Sequence, residues 1–238
     1  MENEKYLGVE VSTLSMDEVI LEVDRVISEE EKTFIVAINP EKIMKAQEDK
    51  ELLKLINKAN IKIPDGSGVV LASILKQGSI KGRVTGIDLF KNICFVGANR
   101  EYKIFLLGSK KNVVERASQK LKEEIKGINI VGIQDGYFED NKKVIKSINE
   151  SGANVVFVAF GSPKQEKWIT DNMDKINANV FMGVGGSFDV ISGDIQRAPK
   201  WMQKCGSEWI YRLIKEPRRI SRVKVFPKFL IKTFQKSK

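Results

Sequence analysis

Asp65 lies in Pro64-Asp65-Gly66-Ser67-Gly68, where small residues leave the backbone open to an approaching molecule. A carboxylate in that setting can take a proton from an attacking hydroxyl. The plainer reading is a helix N-cap for the segment after Ser67. Further polar, glycine-rich stretches are Asn39-Pro40, Gly108-Ser109, Gln134-Asp135-Gly136-Tyr137, Gly161-Ser162-Pro163-Lys164-Gln165-Glu166 and Gly185-Gly186-Ser187-Phe188-Asp189. Backbone N–H groups in such turns bind phosphate, and a carboxylate among them can accept from a ribose or uracil. Singly, Gly and Ser are ordinary turn and cap residues; several at one sheet edge favour a nucleotide site. Arg83, in Lys81-Gly82-Arg83-Val84-Thr85-Gly86, reads either as a surface charge or as a fork for phosphate.

Other chemistries are excluded by composition. The chain has no histidine, and with it no Ser-His-Asp triad, Cys-His pair or histidine-ligated zinc. General base work falls to a carboxylate, Lys, Tyr or Cys. There is no Walker A loop, and the G-x-G-x-x-G begun by Gly183 and Gly185 ends at Phe188, which disfavours a nucleotide-dependent dehydrogenase. No two aspartates stand two apart, so the Asp-x-Asp that holds a divalent metal in many sugar-nucleotide enzymes is missing. Arg, Lys or helix N-termini would then meet an anionic leaving group. Cys94 and Cys205 lie among apolar residues, as buried or incidental thiols do.

The elements that must position these residues alternate strand and helix. Strands are expected near 33–38, 61–63, 103–107, 129–133, 155–160 and 180–184, and helices over 41–59, 69–76, 88–96, 113–126 and 142–151. The later strands are continuous apolar runs, as in a parallel sheet covered on both faces. The expected fold is α/β: a Rossmann-like, doubly wound, mainly parallel sheet, with ligands beyond the carboxyl ends of its strands. A soft seam near 99–103 would separate the lobes of a catalytic domain over 1–196.

Residues 197–238 read as a basic, amphipathic, helical appendage. They hold thirteen Lys and Arg against two acids, a net +11, while residues 1–196 hold 27 against 29, a net −2. Apolar residues recur there at three- and four-residue steps, and Pro217 and Pro227 are expected to divide the tail into short helices. Such a surface suits an anionic membrane interface, a packing face on the body, or a phosphate backbone. The membrane reading is preferred, nucleic acid is not expected as a partner, and a non-enzymatic adaptor stays open. Without membrane, the exposed apolar face would drive homo-oligomers in solution. No apolar run approaches the roughly 18–20 residues of a membrane span, and the first residues lack the basic and apolar regions of a signal peptide. The expected location is therefore cytoplasmic, peripheral on the inner face of the membrane.

In chain order, Asn39-Pro40-Glu41-Lys42, Pro64-Asp65-Gly66-Ser67-Gly68, Arg83-Val84-Thr85-Gly86, Gly161-Ser162-Pro163-Lys164-Gln165-Glu166, Gly183-Val184-Gly185-Gly186-Ser187-Phe188-Asp189 and Arg197-Ala198-Pro199 together resemble the WecG/TagA/CpsF glycosyltransferases. The likeness runs from about Tyr6 through the Glu208-Trp209-Ile210-Tyr211-Arg212-Leu213 stretch to Arg222. It implies transfer from a UDP-sugar to N-acetylglucosamine on a lipid diphosphate, with inversion at the anomeric carbon and no metal or other cofactor. In the branch that makes the wall teichoic acid linkage unit, the donor is UDP-N-acetylmannosamine and the acceptor undecaprenyl-diphosphate-N-acetylglucosamine. Similar proteins use the mannosamine uronic acid or glucose. The resemblance makes Asp65 the general base, with Asn39 and Arg83 holding donor or acceptor and Gln165 lining the pocket. Gly108, Tyr137, Gly185, Gly186 and Asp189 are assigned to UDP from strand-end position. Arg212, Arg219 and Arg222 would fold over the pocket and neutralise the diphosphates. One departure is Ala37, where similar proteins often carry threonine.

Overall fold

The computed structural model describes residues 2–204, 207–215 and 225–235. The chain opens with a hairpin of β1 (Asn3–Tyr6) and β2 (Val9–Ser12), turned by Leu7 and Gly8, both at positive φ. Two such residues match the right-handed twist of the flanking strands. β3 (Thr33–Ile38), β4 (Ile61–Pro64), β5 (Lys103–Gly108), β6 (Asn129–Gln134), β7 (Val155–Ala159) and β8 (Val180–Gly183) form a six-stranded sheet in the order β4-β3-β8-β7-β5-β6. Every pairing in it is parallel. Each expected strand is met to within one residue at either end. Strands before and after 99–103 belong to this one sheet.

Because side chains alternate along a strand, continuous apolar runs feed two cores. Phe34, Val36 and Ile38 of β3 point into the first, with Leu107, Val156 and Phe181, while Ile35 points into the second, with Ile63, Leu106, Phe157 and Met182. The first core is closed by α2 (Pro40–Glu48), α3 (Lys50–Lys58), α4 (Ser67–Leu75), α7 (Asn141–Ser151) and α8 (Lys164–Asn172). The second is closed by α1 (Met16–Ser28), α5 (Gly86–Asn99), α6 (Lys111–Glu124) and α9 (Ser187–Ser192). Cys94 lies in this second core, where burial pushes its thiol well above the usual range; Cys205 lies outside the described residues. The helix expected over 41–59 is two. Asp49 leaves helical geometry between α2 and α3 and caps the latter, its Oδ1 accepting from Leu52 N–H at 2.9 Å.

Beyond residue 197 come α10 (Lys200–Lys204), α11 (Glu208–Lys215) and α12 (Val225–Gln235). The inner face of α12 is a packing face: Phe229 is fully buried in the first core, against Tyr6. α2, α4 and α12 converge at Gly68, where a Cβ would stand 2.6 Å from Pro40 Cγ and 2.8 Å from the Phe226 ring. Pro227, expected to break a helix, instead sits in the first turn of α12, where its missing N–H has no intrahelical partner to lose. Pro217 lies outside the described residues. No described helix is long and apolar enough to cross a membrane. Phe229→Ala should lower stability by about 3 kcal/mol, the usual cost of emptying a buried aromatic site; urea unfolding followed by circular dichroism measures it, and an unchanged midpoint would mean that α12 contributes nothing to the core.

Candidate active site

At the carboxyl edge of the sheet, the segments after β3, β4, β7 and β8 border a cleft of about 640 Å³. Asn39, Asp65, Arg83, Gln165, Gly185 and Gly186 all line it. A parallel sheet forces this convergence, because each strand ends, and each following helix begins, on the same side. α2, α4 and α5 start at the cleft and direct the positive ends of their backbone dipoles toward it. Asn39 caps α2, its Oδ1 accepting from Lys42 N–H at 2.9 Å, and Thr85 caps α5. α4 is entered through Gly66 at φ +103°, a conformation that favours glycine, and no side chain caps it. Asp65 N–H donates to Ile38 O at 2.8 Å, which carries the β3–β4 pairing one residue past the strand and sets the half-buried carboxylate at the lip.

Beneath the cleft lies a buried polar network. Gln165 rests on Gly183, where a Cβ would come within 2.5 Å of its Nε2. Its Oε1 accepts from Gly185 N–H at 3.0 Å and its Nε2 donates to Glu166 Oε1 at 3.3 Å. Lys42 Nζ, at the cleft wall, donates to the same Glu166 oxygen at 2.7 Å. Glu166 is fully buried, and its Oε2 has no hydrogen-bond partner among the described residues. A buried carboxylate is costly unless paired, so Lys42 is tied to this spot. The motif containing Glu166 reads as loop in sequence, and its burial carries no local signal. Lys42 belongs to one of the family motifs, yet sequence alone gives it no role.

The segment after residue 197 is stitched to the cleft by arginines. Arg83 donates to Gln203 O at 3.1 Å. Both terminal nitrogens of Arg197 reach the Asp88 carboxylate, at 2.6 and 2.8 Å, and Glu208 lies 3.8 Å away. Burial pushes the Asp88 carboxyl up, but Arg197 and the Thr85 hydroxyl outweigh it and hold it below the usual value. Burial likewise disfavours the Arg197 charge, yet Asp88, Glu208 and Asp65 more than compensate. Glu208 and Leu213 of α11 and Phe226 of α12 complete the wall.

Other expected residues lie elsewhere. Gly108 ends β5 and Tyr137 follows β6, further along the same edge, and neither lines the cleft. Gly108, at φ +119°, packs so closely that a Cβ would stand 2.6 Å from Ala159 O, and Tyr137 is 76% exposed. Asp189 is beside Gly186 at the cleft's margin; burial pushes its carboxyl above the usual value. Arg212 falls in α11 and Arg219 and Arg222 after it; these three side chains lie outside the described residues. Ala37, in β3, lines the cleft next to Gly86.

Residues 4–238 match the glycosyl transferase WecG/TagA/CpsF family. Over 204 residues the chain is 38% identical to the N-acetylglucosaminyldiphosphoundecaprenol N-acetyl-beta-D-mannosaminyltransferase of Bacillus subtilis (strain 168), an alignment covering 86% of this chain and 80% of that protein. With motif order, sheet architecture and a match across nearly the whole chain in agreement, this protein belongs to the WecG/TagA/CpsF family of glycosyltransferases.

Proposed function

We propose that this glycosyltransferase moves N-acetylmannosamine from UDP-N-acetylmannosamine to undecaprenyl-diphosphate-N-acetylglucosamine, inverting the anomeric carbon without a metal, in wall teichoic acid linkage-unit synthesis. The observation that carries this reading is the meeting of Asp65, Asn39, Arg83 and Gln165 in one cleft. The name of the Bacillus subtilis relative supports the sugar and the acceptor.

In this reading Asp65 accepts the proton of the acceptor hydroxyl as its oxygen attacks the anomeric carbon from the face opposite UDP. The bond from that carbon to the phosphate oxygen breaks, and its electrons stay on the diphosphate. Arg83, Lys42 and the backbone dipoles of α2 and α4 meet that charge in place of a cation, together with Arg212, Arg219 and Arg222. Asn39 and Gln165 hold the sugar. The diphosphate lies over Gly185 and Gly186, and the uridine runs past Asp189 along the edge toward Gly108 and the exposed Tyr137 ring. Residues 1–196 act as the catalytic domain and 197–238 as a docking and site-completing tail, on the cytoplasmic face of the membrane. The bonds from Arg83 to Gln203 and from Arg197 to Asp88 support that coupling.

The deciding assay is UDP release from UDP-N-acetylmannosamine with a short-chain lipid-diphosphate-N-acetylglucosamine acceptor and EDTA present. Acceptor-dependent turnover is expected; turnover only with another UDP-sugar would move the donor assignment, and none with any would end the reading. Asp65→Asn should lower kcat by roughly 10²- to 10⁴-fold, as for loss of a general base, with the fold retained. Lys42→Met should cost about 3 kcal/mol by stranding Glu166 unpaired, and adding Glu166→Leu should recover most of that stability. Turnover should stay low in the double variant, separating the role of Lys42 at the cleft from its role in the fold.

A further inference from the structure

α4 belongs to the body of the protein, yet its outward face is as apolar as that of the tail helices. Leu71, Ile74 and Leu75 stand 38%, 64% and 54% exposed at i, i+3 and i+4, while Val69 and Ala72 fill the core behind them. None of the helix's residues, Ser67–Leu75, is charged. A surface helix ordinarily turns a polar face to water, and an apolar stripe left outward marks a contact surface. α12, packed against α4 at Gly68, also turns apolar residues outward: Ile231 and Phe234, at 57% and 37%, with Lys228 and Lys232 beside them.

Charge identifies what covers this surface. Among the described residues of α10, α11 and α12, the exposed charged side chains are Lys200, Lys215, Lys228 and Lys232, and the single acid, Glu208, is buried. A second copy of this chain would bring lysine against lysine. Apolar stripes rimmed by lysine fit an anionic bilayer, whose headgroups pair with the cations while the acyl boundary takes the apolar side chains. The same helices wall the cleft, α4 through Ser67 and Gly68, α11 through Leu213 and α12 through Phe226.

We propose that α4 is a bilayer-contacting helix of the catalytic body, and that with α11 and α12 it seats the mouth of the cleft on an anionic membrane surface. This rests on the reading of a lipid-linked acceptor: its diphosphate and sugar enter the cleft while its hydrocarbon stays in the bilayer.

The test uses the full chain without donor or acceptor. Ile74→Cys in a Cys205→Ser background, labelled with an environment-sensitive fluorophore, should show a blue shift and a several-fold rise in emission with phosphatidylglycerol/phosphatidylcholine vesicles. Little change is expected with phosphatidylcholine alone, or for a label at Leu21→Cys, an exposed site on α1. Combined Leu71→Gln, Ile74→Gln and Leu75→Gln should weaken vesicle partitioning at least tenfold, with the melting temperature kept and turnover kept on a short-chain water-soluble acceptor. Three results would overturn the proposal: a label at residue 74 that stays in water while the chain floats with vesicles, undiminished partitioning of the triple variant, or a blue shift that appears without vesicles as protein concentration rises. Vesicle binding is read apart from turnover, so either reading can fail while the other stands.

Discussion

A parallel sheet buried on both faces leaves its polar backbone only one outlet. Strands such as β3 alternate between two cores, Phe34 and Val36 on one side and Ile35 on the other, so neither face has room for chemistry. The strand ends must carry it. All six carboxyl ends lie on one edge, and the helices that follow begin there, with N–H groups that lack intrahelical partners. Asn39 and Thr85 are local solutions to that problem, while α4 starts from Gly66 without a side-chain cap, and the cleft is bounded by all three.

Close backbone approach then sets the shape of the cleft. Gly183 lets the Gln165 amide lie on the end of β8, and Gly68 lets three helices meet. Side chains at either point would push the walls apart. The Lys42–Glu166 pair gains little for stability after desolvation of two charges. Its consequence is positional: it joins α2 to α8, and through Gln165 it fixes the N–H of Gly185 at the cleft floor.

The basic tail shares walls with the cleft, so surface and site are coupled. Phe229 anchors α12 in the first core, while Phe226, one turn earlier in the same helix, lines the cleft. Arg197 and Asp88 tie the start of the tail to the cap of α5, and Arg83 reaches from the body to the backbone at Gln203. A change that loosens the tail therefore also changes the cleft.

Much of this is legible in sequence. The later strands, such as β7 and β8, are unbroken apolar runs, and turn residues such as Asn39-Pro40 and Asp65-Gly66 bound the earlier ones, so the six sheet strands are legible, and glycine with carboxylate after them marks the edge that carries the cleft. The β1–β2 hairpin and α1 lie outside the expected elements, although both carry local signals: Leu7-Gly8 is a turn signal, and Ser15 with Glu18 forms the capping box that starts α1. Gly108 carries the same composition as the cleft glycines, yet its reason is the contact with Ala159. By itself the sequence determined the fold class, the sheet edge that carries the cleft and the family, because period, turn chemistry and motif order are local properties. Only the tertiary structure decided which strand ends are neighbours. The order β4-β3-β8-β7-β5-β6 gathers Asn39, Asp65, Gln165 and Gly185 and leaves Gly108 and Tyr137 further along, since crossover connections and the burial of Glu166 depend on packing between segments far apart in the chain.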